Sequence, residues 1–459
     1  MQLFATDDPR PIHFMGIAGA GMSAIALVSL RRGVPVTGCD ADPRGASDVQ
    51  REGAVVWPNH DPAHVGDCRA VVYTAAIQPE HPELQAANAA GIPVIPRAQA
   101  LGMAVQGGTL VGIAGTHGKT TVTAMVAAGL AEAGLNPTAL VGGRVDAWEG
   151  NVRFGGDDLF VVEADEYDRS FLALAPSVAV VNNVEPDHLE CYGSVEDLEG
   201  AFATFAGPAQ RVLVGADDGG ALRVGEVVSA PVWKVGLAPH ADIRITNVER
   251  DATHNAARLE LPGGGSVELR LPVPGLHNLR NAAMTVAVGL ALDTDPAAVA
   301  RGLAGFAGVG RRFELLGTYR GVTFVDDYAH HPSEIAATLG AARQRFPSAR
   351  LVAVFQPHLY SRTKALGQAM GIALAMADVV VVTEVYPARE QPLPGVTGER
   401  VAKAAQRAGG QVEWVASRAA LADRLEEMIA NGDVVVTLGA GDITEVGREL
   451  VRRRSGAAA

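Results

Sequence analysis

The segment A-G-T-H-G-K-T-T, Ala114 to Thr121, lies between an apolar run and an alanine-rich stretch, and it carries the residue types needed to hold a polyphosphate. Gly115 and Gly118 let backbone N–H groups converge on phosphate oxygens, and a helix starting here adds partial positive charge. Lys119 reaches the outer phosphates and Thr120 offers a hydroxyl to magnesium, while Thr116, His117 and Thr121 complete the loop. The order departs from strict G-x-x-x-x-G-K-[ST], because Ile113 stands where the first glycine belongs and glycines sit at 112 and 115. The competing reading is a tight strand-to-helix turn with an exposed lysine. ATP with Mg²⁺ is the expected ligand.

Two carboxylate clusters follow, E-A-D-E-Y-D at 163–168 and E-P-D-H at 185–188, each at the end of an apolar run. Parallel strands discharge their carboxyl ends on one edge, so these acids can gather around a magnesium ion, with Glu163 and His188 as ligand candidates beside Thr120. Any single acid is otherwise a solvated loop carboxylate. Near the start, Gly16, Gly19 and Gly21 form G-x-x-G-x-G rather than the dinucleotide fingerprint, and Asp40 follows where an acid could meet a ribose hydroxyl. Turn packing explains those glycines as readily. Asn278 and Asn281, three apart in L-H-N-L-R-N, present amides on one helical face that could read an adenine edge, or else they cap a helix.

The segments D-D-Y-A-H-H-P-S-E at 326–334 and F-Q-P-H-L-Y-S-R-T at 355–363 read as a polar pocket for a small zwitterion. Arg362 would pair with a carboxylate, and Tyr328, His330 or His358 would orient an amine. The paired histidines raise a metal site, but no carboxylate spacing supports it.

These residues need elements to position them. The run 12–17 reads as a strand, followed by the glycine turn, a helix over 23–32 and a strand over 34–38, a βαβ opening. Residues 109–114 begin a second such unit, with a helix over 122–133, strands at 159–163, 178–182 and 212–214, and a hairpin within 241–272. From Val322 the rhythm resumes, with strands at 322–326, 350–355, 378–383 and 433–438. The chain is therefore expected to be α/β with three domains, 1–107, 108–317 and 318–459.

The formal net charge of -13 argues against a nonspecific nucleic-acid binder, so any phosphate must be held locally. Cys39, Cys68 and Cys191 include no close pair, which predicts neither a disulfide framework nor a structural zinc site and fits a reducing cytosol. The first ten residues lack the basic start of a secretion signal. The most apolar stretch, Gly371 to Thr383, contains Asp378 and falls short of the ~20 residues that span a bilayer. A soluble, cytoplasmic protein with no membrane partner is expected.

Taken in order, G-T-H-G-K-T-T, E-A-D-E, D-H, H-N-x-x-N, R-F-E and D-D-Y-A-H-H-P resemble the Mur ligases of peptidoglycan synthesis over essentially the whole chain. The resemblance implies a Rossmann-like N-terminal domain for a UDP-sugar, a central P-loop ATPase domain with a parallel sheet, and a Rossmann-like C-terminal domain for the amino acid. It implies that Gly16, Gly19, Gly21, Met22, Ser23 and Asp40 serve the UDP-sugar. It also implies that Arg312 and Asp327 contact ATP, with Arg312 among the catalytic residues beside Lys119, Glu163 and His188. The pieces at 16–23, 326–334 and 355–363 look like the branch that adds L-alanine to UDP-N-acetylmuramate, as a monomer or homodimer. The family's acid motif commonly reads E-A-D-E-S-D, whereas Tyr167 stands here. Similar tyrosines occur in a sister branch that adds a recycled tripeptide to the same sugar nucleotide. The interval from Leu189 to Gln210 holds no lysine of the kind that several family members carbamylate.

Overall fold

The structure, a computed structural model, describes residues 3–455. It contains three β-sheets flanked by helices. The first has strands β1 (Ile12–Met15), β2 (Val36–Cys39), β3 (Val55–Trp57), β4 (Ala70–Tyr73) and β5 (Val94–Pro96) in the order β3-β2-β1-β4-β5, all parallel. Strand order reverses between β1 and β4, and a doubly wound sheet opens a crevice at such a switch point, outside the carboxyl ends of its strands.

The second sheet has ten strands: β6 (Thr109–Ala114), β7 (Thr138–Val145), β8 (Gly150–Arg153), β9 (Leu159–Glu163), β10 (Val178–Val181), β11 (Arg211–Gly215), β12 (Val232–Gly236), β13 (Ile243–Arg250), β14 (Asn255–Glu260) and β15 (Ser266–Leu271). Their order is β15-β14-β13-β12-β11-β10-β6-β9-β7-β8. Strand β6 lies between β9 and β10, all parallel, so the residues that follow these three strands share one edge. The expected hairpin within 241–272 is a three-stranded edge, β13 to β15, in which β15 alternates exposed and buried residues as a strand with one wet face does. By contrast β10, V-A-V-V, is buried throughout and reads as a continuous apolar run.

The third sheet joins β16 (Glu314–Tyr319), β17 (Val322–Asp327), β18 (Leu351–Phe355), β19 (Val379–Val382), β20 (Val412–Trp414) and β21 (Val434–Leu438) in the order β16-β17-β21-β18-β19-β20. Only β16 among these is antiparallel to its neighbour. The chain divides into two compact units. One runs to Thr246 and includes Arg258–Leu269 and Arg280–Ala304; the other takes in Asn247–Ala257, Arg270–Leu279 and the chain from Gly305 on. The first unit holds the five-stranded sheet and most of the ten-stranded one; the second holds the six-stranded sheet.

Packing beneath β6 is aromatic. Phe205 stacks on Phe171 at 5.1 Å between ring centroids, and Phe202 meets Phe171 edge-on at 5.1 Å. A Cβ on Gly112 would come within 2.8 Å of the Phe205 ring, so the glycine in the middle of β6 is what lets this ring approach the strand. No helix among the described residues is long and apolar enough to cross a membrane. Because Phe205 is fully enclosed, Phe205→Ala is expected to cost about 3–5 kcal/mol, read as a lower urea midpoint; an unchanged midpoint would show that the ring does not anchor this sheet.

Candidate functional site

The phosphate loop is the turn from β6 into the helix Lys119–Glu132. That helix starts three residues earlier than the apolar pattern predicts, which places Lys119 and Thr120 in its first turn, where backbone N–H groups have no helical partner. Gly115 and Gly118 have φ of +143° and +82°. A side chain at Gly118 would also strike Asn182 Nδ2 at 2.8 Å and Asn281 Oδ1 at 3.1 Å. Both backbone shape and space therefore demand glycine there.

Neighbouring strand ends fix the loop. His117 N donates to Asn183 Oδ1 at 2.7 Å, Asn182 and Asn183 both donate to His117 O at 3.1 Å, and Glu185 N donates to Thr116 Oγ1 at 2.9 Å. Asn182 and Asn183 come directly after β10; the rule that chemistry gathers at strand carboxyl ends marks them, although no motif does. The Asn182 amide also donates to Asn281 Oδ1 at 3.3 Å, which brings Asn281 to the loop. Asn278 and Asn281 lie inside the helix Leu276–Ala291, so they are not its caps. The Asn278 amide donates to Pro274 O at 2.7 Å.

Lys119 Nζ donates to Gly115 O at 2.7 Å and Thr116 O at 3.2 Å, and pairs with Glu166 Oε2 at 2.6 Å. Burial works against the ammonium charge, but Glu166, Asp165 and Glu163 outweigh it and hold the Lys119 pKa above its ordinary value. Sequence reasoning passed over Glu166, the last acid of E-A-D-E, because Glu163 at the strand end met the geometric rule. Thr120 Oγ1 donates to Glu163 Oε1 at 2.8 Å, while Glu163 Oε2 accepts from Gly142 N at 2.6 Å. A hydroxyl and a carboxylate at a helix start are hard oxygen donors of the kind Mg²⁺ takes. The His188 ring meets Tyr167 at 5.1 Å, Glu190 Oε1 at 3.4 Å and Asp187 Oδ2 at 3.8 Å, and no hydrogen bond or ion pair joins it to Thr120 or Glu163.

At the switch point of the first sheet, a cavity of about 590 Å³ is lined by Gly16, Gly19, Gly21, Met22, Asp40, Thr74 and Arg97, and it reaches Glu163 and Asp165. Gly16 has φ +81°, and a Cβ on it would lie 2.9 Å from the Thr74 methyl. Asp40 Oδ2 accepts from Ala18 N at 3.0 Å, so this acid braces the glycine turn as well as bordering the cavity. Ser23 is buried away from that wall, its hydroxyl donating to Ala20 O at 3.0 Å and accepting from Asn151 Nδ2 at 3.1 Å. Arg97, which directly follows β5, is a cation on the wall that the motifs did not reveal.

In the second unit the structure brings together all four residues expected around a zwitterion. Arg362 donates to His358 Nδ1 at 3.3 Å, His358 stacks on Tyr386 at 5.7 Å, and the His330 ring lies 6.1 Å from His358 and 5.5 Å from Tyr328. Arg312 sits 5.0 Å over the Tyr328 ring and 3.8 Å from Glu334. His331 instead caps the helix Pro332–Arg345 through a capping box with Glu334, so the paired histidines divide into one pocket residue and one cap.

Asp327 accepts from Phe313 N and Ala329 N at 2.8 Å each, and burial, opposed by Arg312, pushes its pKa up from 3.8 to about 6. A carboxyl that binds its proton more tightly folded than unfolded costs stability only once it must ionise. The cost is absent below about pH 4, grows between the two pKa values, and is fully present above about pH 6, reaching about 3 kcal/mol. Asp327→Asn is expected to flatten the fall in stability over that window, as read from urea midpoints at several pH values; an unchanged slope would show that Asp327 titrates normally.

The Mur ligase family, catalytic domain, matches residues 11–108, the Mur ligase middle domain matches 113–289, and the Mur ligase, glutamate ligase domain matches 311–441. A UDP-N-acetylmuramate--L-alanine ligase from Thermobifida fusca is 44% identical over 96% of this chain and 96% of its own. A protein of the same name from Salinibacter ruber is 42% identical over 96% and 94%. The crystal structure of UDP-N-acetylmuramate-alanine ligase from Thermotoga maritima superposes with a TM-score of 0.82 at 29% identity, covering 97% of this chain and 99% of that one. A murein peptide ligase from Psychrobacter arcticus shares the fold, with a TM-score of 0.71 at 22% identity over 96% and 98% of the two chains. The chain belongs to the Mur ligase family.

Proposed function

We propose that this chain is an ATP-dependent ligase that joins L-alanine to the lactyl carboxylate of UDP-N-acetylmuramate in peptidoglycan synthesis, in the cytoplasm. One observation supports it above the others: a single cavity runs from the Gly16 turn to Glu163, and Glu163 in turn holds Thr120 of the phosphate loop. A sugar nucleotide in that cavity has its carboxylate at the end where the terminal phosphate of ATP must lie. The names and full-length coverage of the relatives favour alanine as the acceptor.

In this reading the lactyl carboxylate attacks the γ-phosphorus of ATP, ADP departs, and an acyl phosphate forms. The amine of alanine then attacks the acyl carbon, phosphate leaves, and the amine loses a proton to give the amide. The first step needs positioning and charge neutralisation more than side-chain bond chemistry. Lys119 supplies an ammonium that Glu166 and the loop carbonyls hold in place, ready to turn to the phosphates. The oxygens of Thr120 and Glu163 would hold Mg²⁺, which would neutralise charge developing on the phosphate oxygens. Arg97 faces the cavity as a cation suited to a diphosphate. Tyr328, His330, His358 and Arg362 form the amino-acid pocket, with Arg362 for the carboxylate, and Arg312 and Asp327 serve ATP.

Purified protein with ATP, Mg²⁺ and UDP-N-acetylmuramate is expected to release phosphate on addition of L-alanine, with the matching gain in product mass. Release that depends instead on L-Ala-γ-D-Glu-meso-diaminopimelate would make it the tripeptide-recycling enzyme, and release with no acceptor would sink the ligase reading. Lys119→Ala is expected to lower kcat/KM for ATP at least ~10²-fold, the scale of losing one preorganised charge contact. Near-normal turnover in that variant would remove Lys119 from the scheme.

A further inference from the structure

The first sheet has a second cluster of chemically capable side chains that the ligase reaction does not use. His13 on β1, Cys39 at the end of β2, His64 in the short turn Pro62–Val65 and Glu83 at the start of the helix Pro82–Ala89 point their donor atoms at one spot. These four atoms all lie within 4.8 Å of one another. Cys39 Sγ is 3.4 Å from His13 Nε2 and 3.5 Å from Glu83 Oε1, and that oxygen is 3.1 Å from His64 Nδ1 and 3.9 Å from His13 Nε2. Zinc bonds of ~2.0–2.3 Å at tetrahedral angles place neighbouring ligand atoms ~3.3–3.6 Å apart, and these separations bracket that range.

We propose that His13, Cys39, His64 and Glu83 bind one zinc ion. Burial supports it, since His13, Cys39 and Glu83 are fully enclosed. The competing reading makes Glu83 a hydrogen-bond hub for Asp61 N at 2.9 Å and the rings of His60 and His64. That reading accounts for each contact singly but not for the convergence of a thiol, two imidazoles and a carboxylate on one enclosed spot. Zinc takes neutral imidazoles, and its two positive charges balance Glu83 and a Cys39 thiolate whose proton passes to water. Nitrogen and sulfur donors favour zinc over the magnesium of the phosphate site. The ring of His13 is already oriented, because its Nδ1 meets Thr37 Oγ1 at 3.0 Å and leaves Nε2 for the metal; the ring of His64 is stacked on Trp57 at 4.2 Å.

The site is a staple rather than a second catalytic centre. It would tie β1 and β2 to the Pro62 turn and the helix Pro82–Ala89, directly behind Asp40, which braces the glycine turn. His60, 3.1 Å from Cys39 Sγ, is on the cavity wall. The proposal stands on these ligands alone and holds whichever acceptor the enzyme uses.

The test is metal analysis of the full chain. Protein purified without chelators is expected to carry about one zinc per chain, and removal of that zinc is expected to lower Tm until Zn²⁺ is restored. Co²⁺ added to the stripped protein is expected to give tetrahedral visible bands and a near-ultraviolet thiolate band, the latter lost in Cys39→Ser and kept in Cys191→Ser. His64→Ala alters the least enclosed ligand and is the variant of choice if Cys39→Ser fails to fold. It is expected to weaken Zn²⁺ affinity at least ~10–100-fold in a chelator competition. A stripped protein that binds neither Zn²⁺ nor Co²⁺, a cobalt complex with no thiolate band, or His64→Ala binding Zn²⁺ as tightly as the parent would each overturn the site.

Discussion

A lysine ammonium that must meet phosphate cannot wait inside a protein without oxygen around it, since a buried unpaired charge costs several kcal/mol. Lys119 meets that constraint with two carbonyls of its own loop and the Glu166 carboxylate. The requirement reaches far into the chain. The loop carbonyls point inward only because Gly115 and Gly118 adopt left-handed backbone, and that backbone is fixed by amides from Asn182 and Asn183 at the end of β10. Glu166 is held in its turn by Tyr192, whose hydroxyl donates to its carbonyl at 2.5 Å. In the proposed reaction phosphate would replace Glu166 as the counter-charge, and the acid would hold the lysine in place between turnovers.

The same logic places many of the other candidate groups at the carboxyl edge of a parallel sheet. Side chains inside a strand are committed to packing on one face or the other, as in V-A-V-V of β10. Residues at or just after the end of a strand are free to point along its axis. Gly16, Asp40, Thr74 and Arg97 follow β1, β2, β4 and β5, and all border one cavity. In the third sheet Tyr328 follows β17 and Tyr386 follows β19, and His358 stacks on Tyr386. Three sheets of different strand order thus repeat one positional rule.

Much of this was legible beforehand, and the gaps have physical causes. Continuous apolar runs announced β10 and β18, because strands covered on both faces have no polar positions to blur the signal. The start of the helix at Lys119 was hidden because K-T-T is polar, although a helix beginning at a phosphate loop exposes its first turn by design. Arg97, Asn182 and Asn183 directly follow strands and carry no spacing signature, so the edge rule was the only route to them, while Glu166 lay within a motif whose first acid drew the attention. The wide spacing of the cysteines suggested no structural zinc site, and the proposed one is of a kind that spacing cannot reveal. Spacing is informative when ligands share one loop, and His13, Cys39, His64 and Glu83 come from four elements that only the sheet brings together.

Glu163 shows how a single residue can couple two sites without moving. One carboxylate oxygen accepts from Thr120 in the phosphate loop and the other from Gly142 N at the end of β7, and the group forms part of the cavity wall. A carboxylate fixed at both oxygens presents its charge in a defined direction at no further entropic cost. Negative charge on that wall repels the lactyl carboxylate unless a cation lies between them. In the proposed reaction the sugar nucleotide would therefore reach an attacking position only with nucleotide and metal in the phosphate loop. Glu163 supplies that condition through its position at the end of β9, where cavity and loop share an edge.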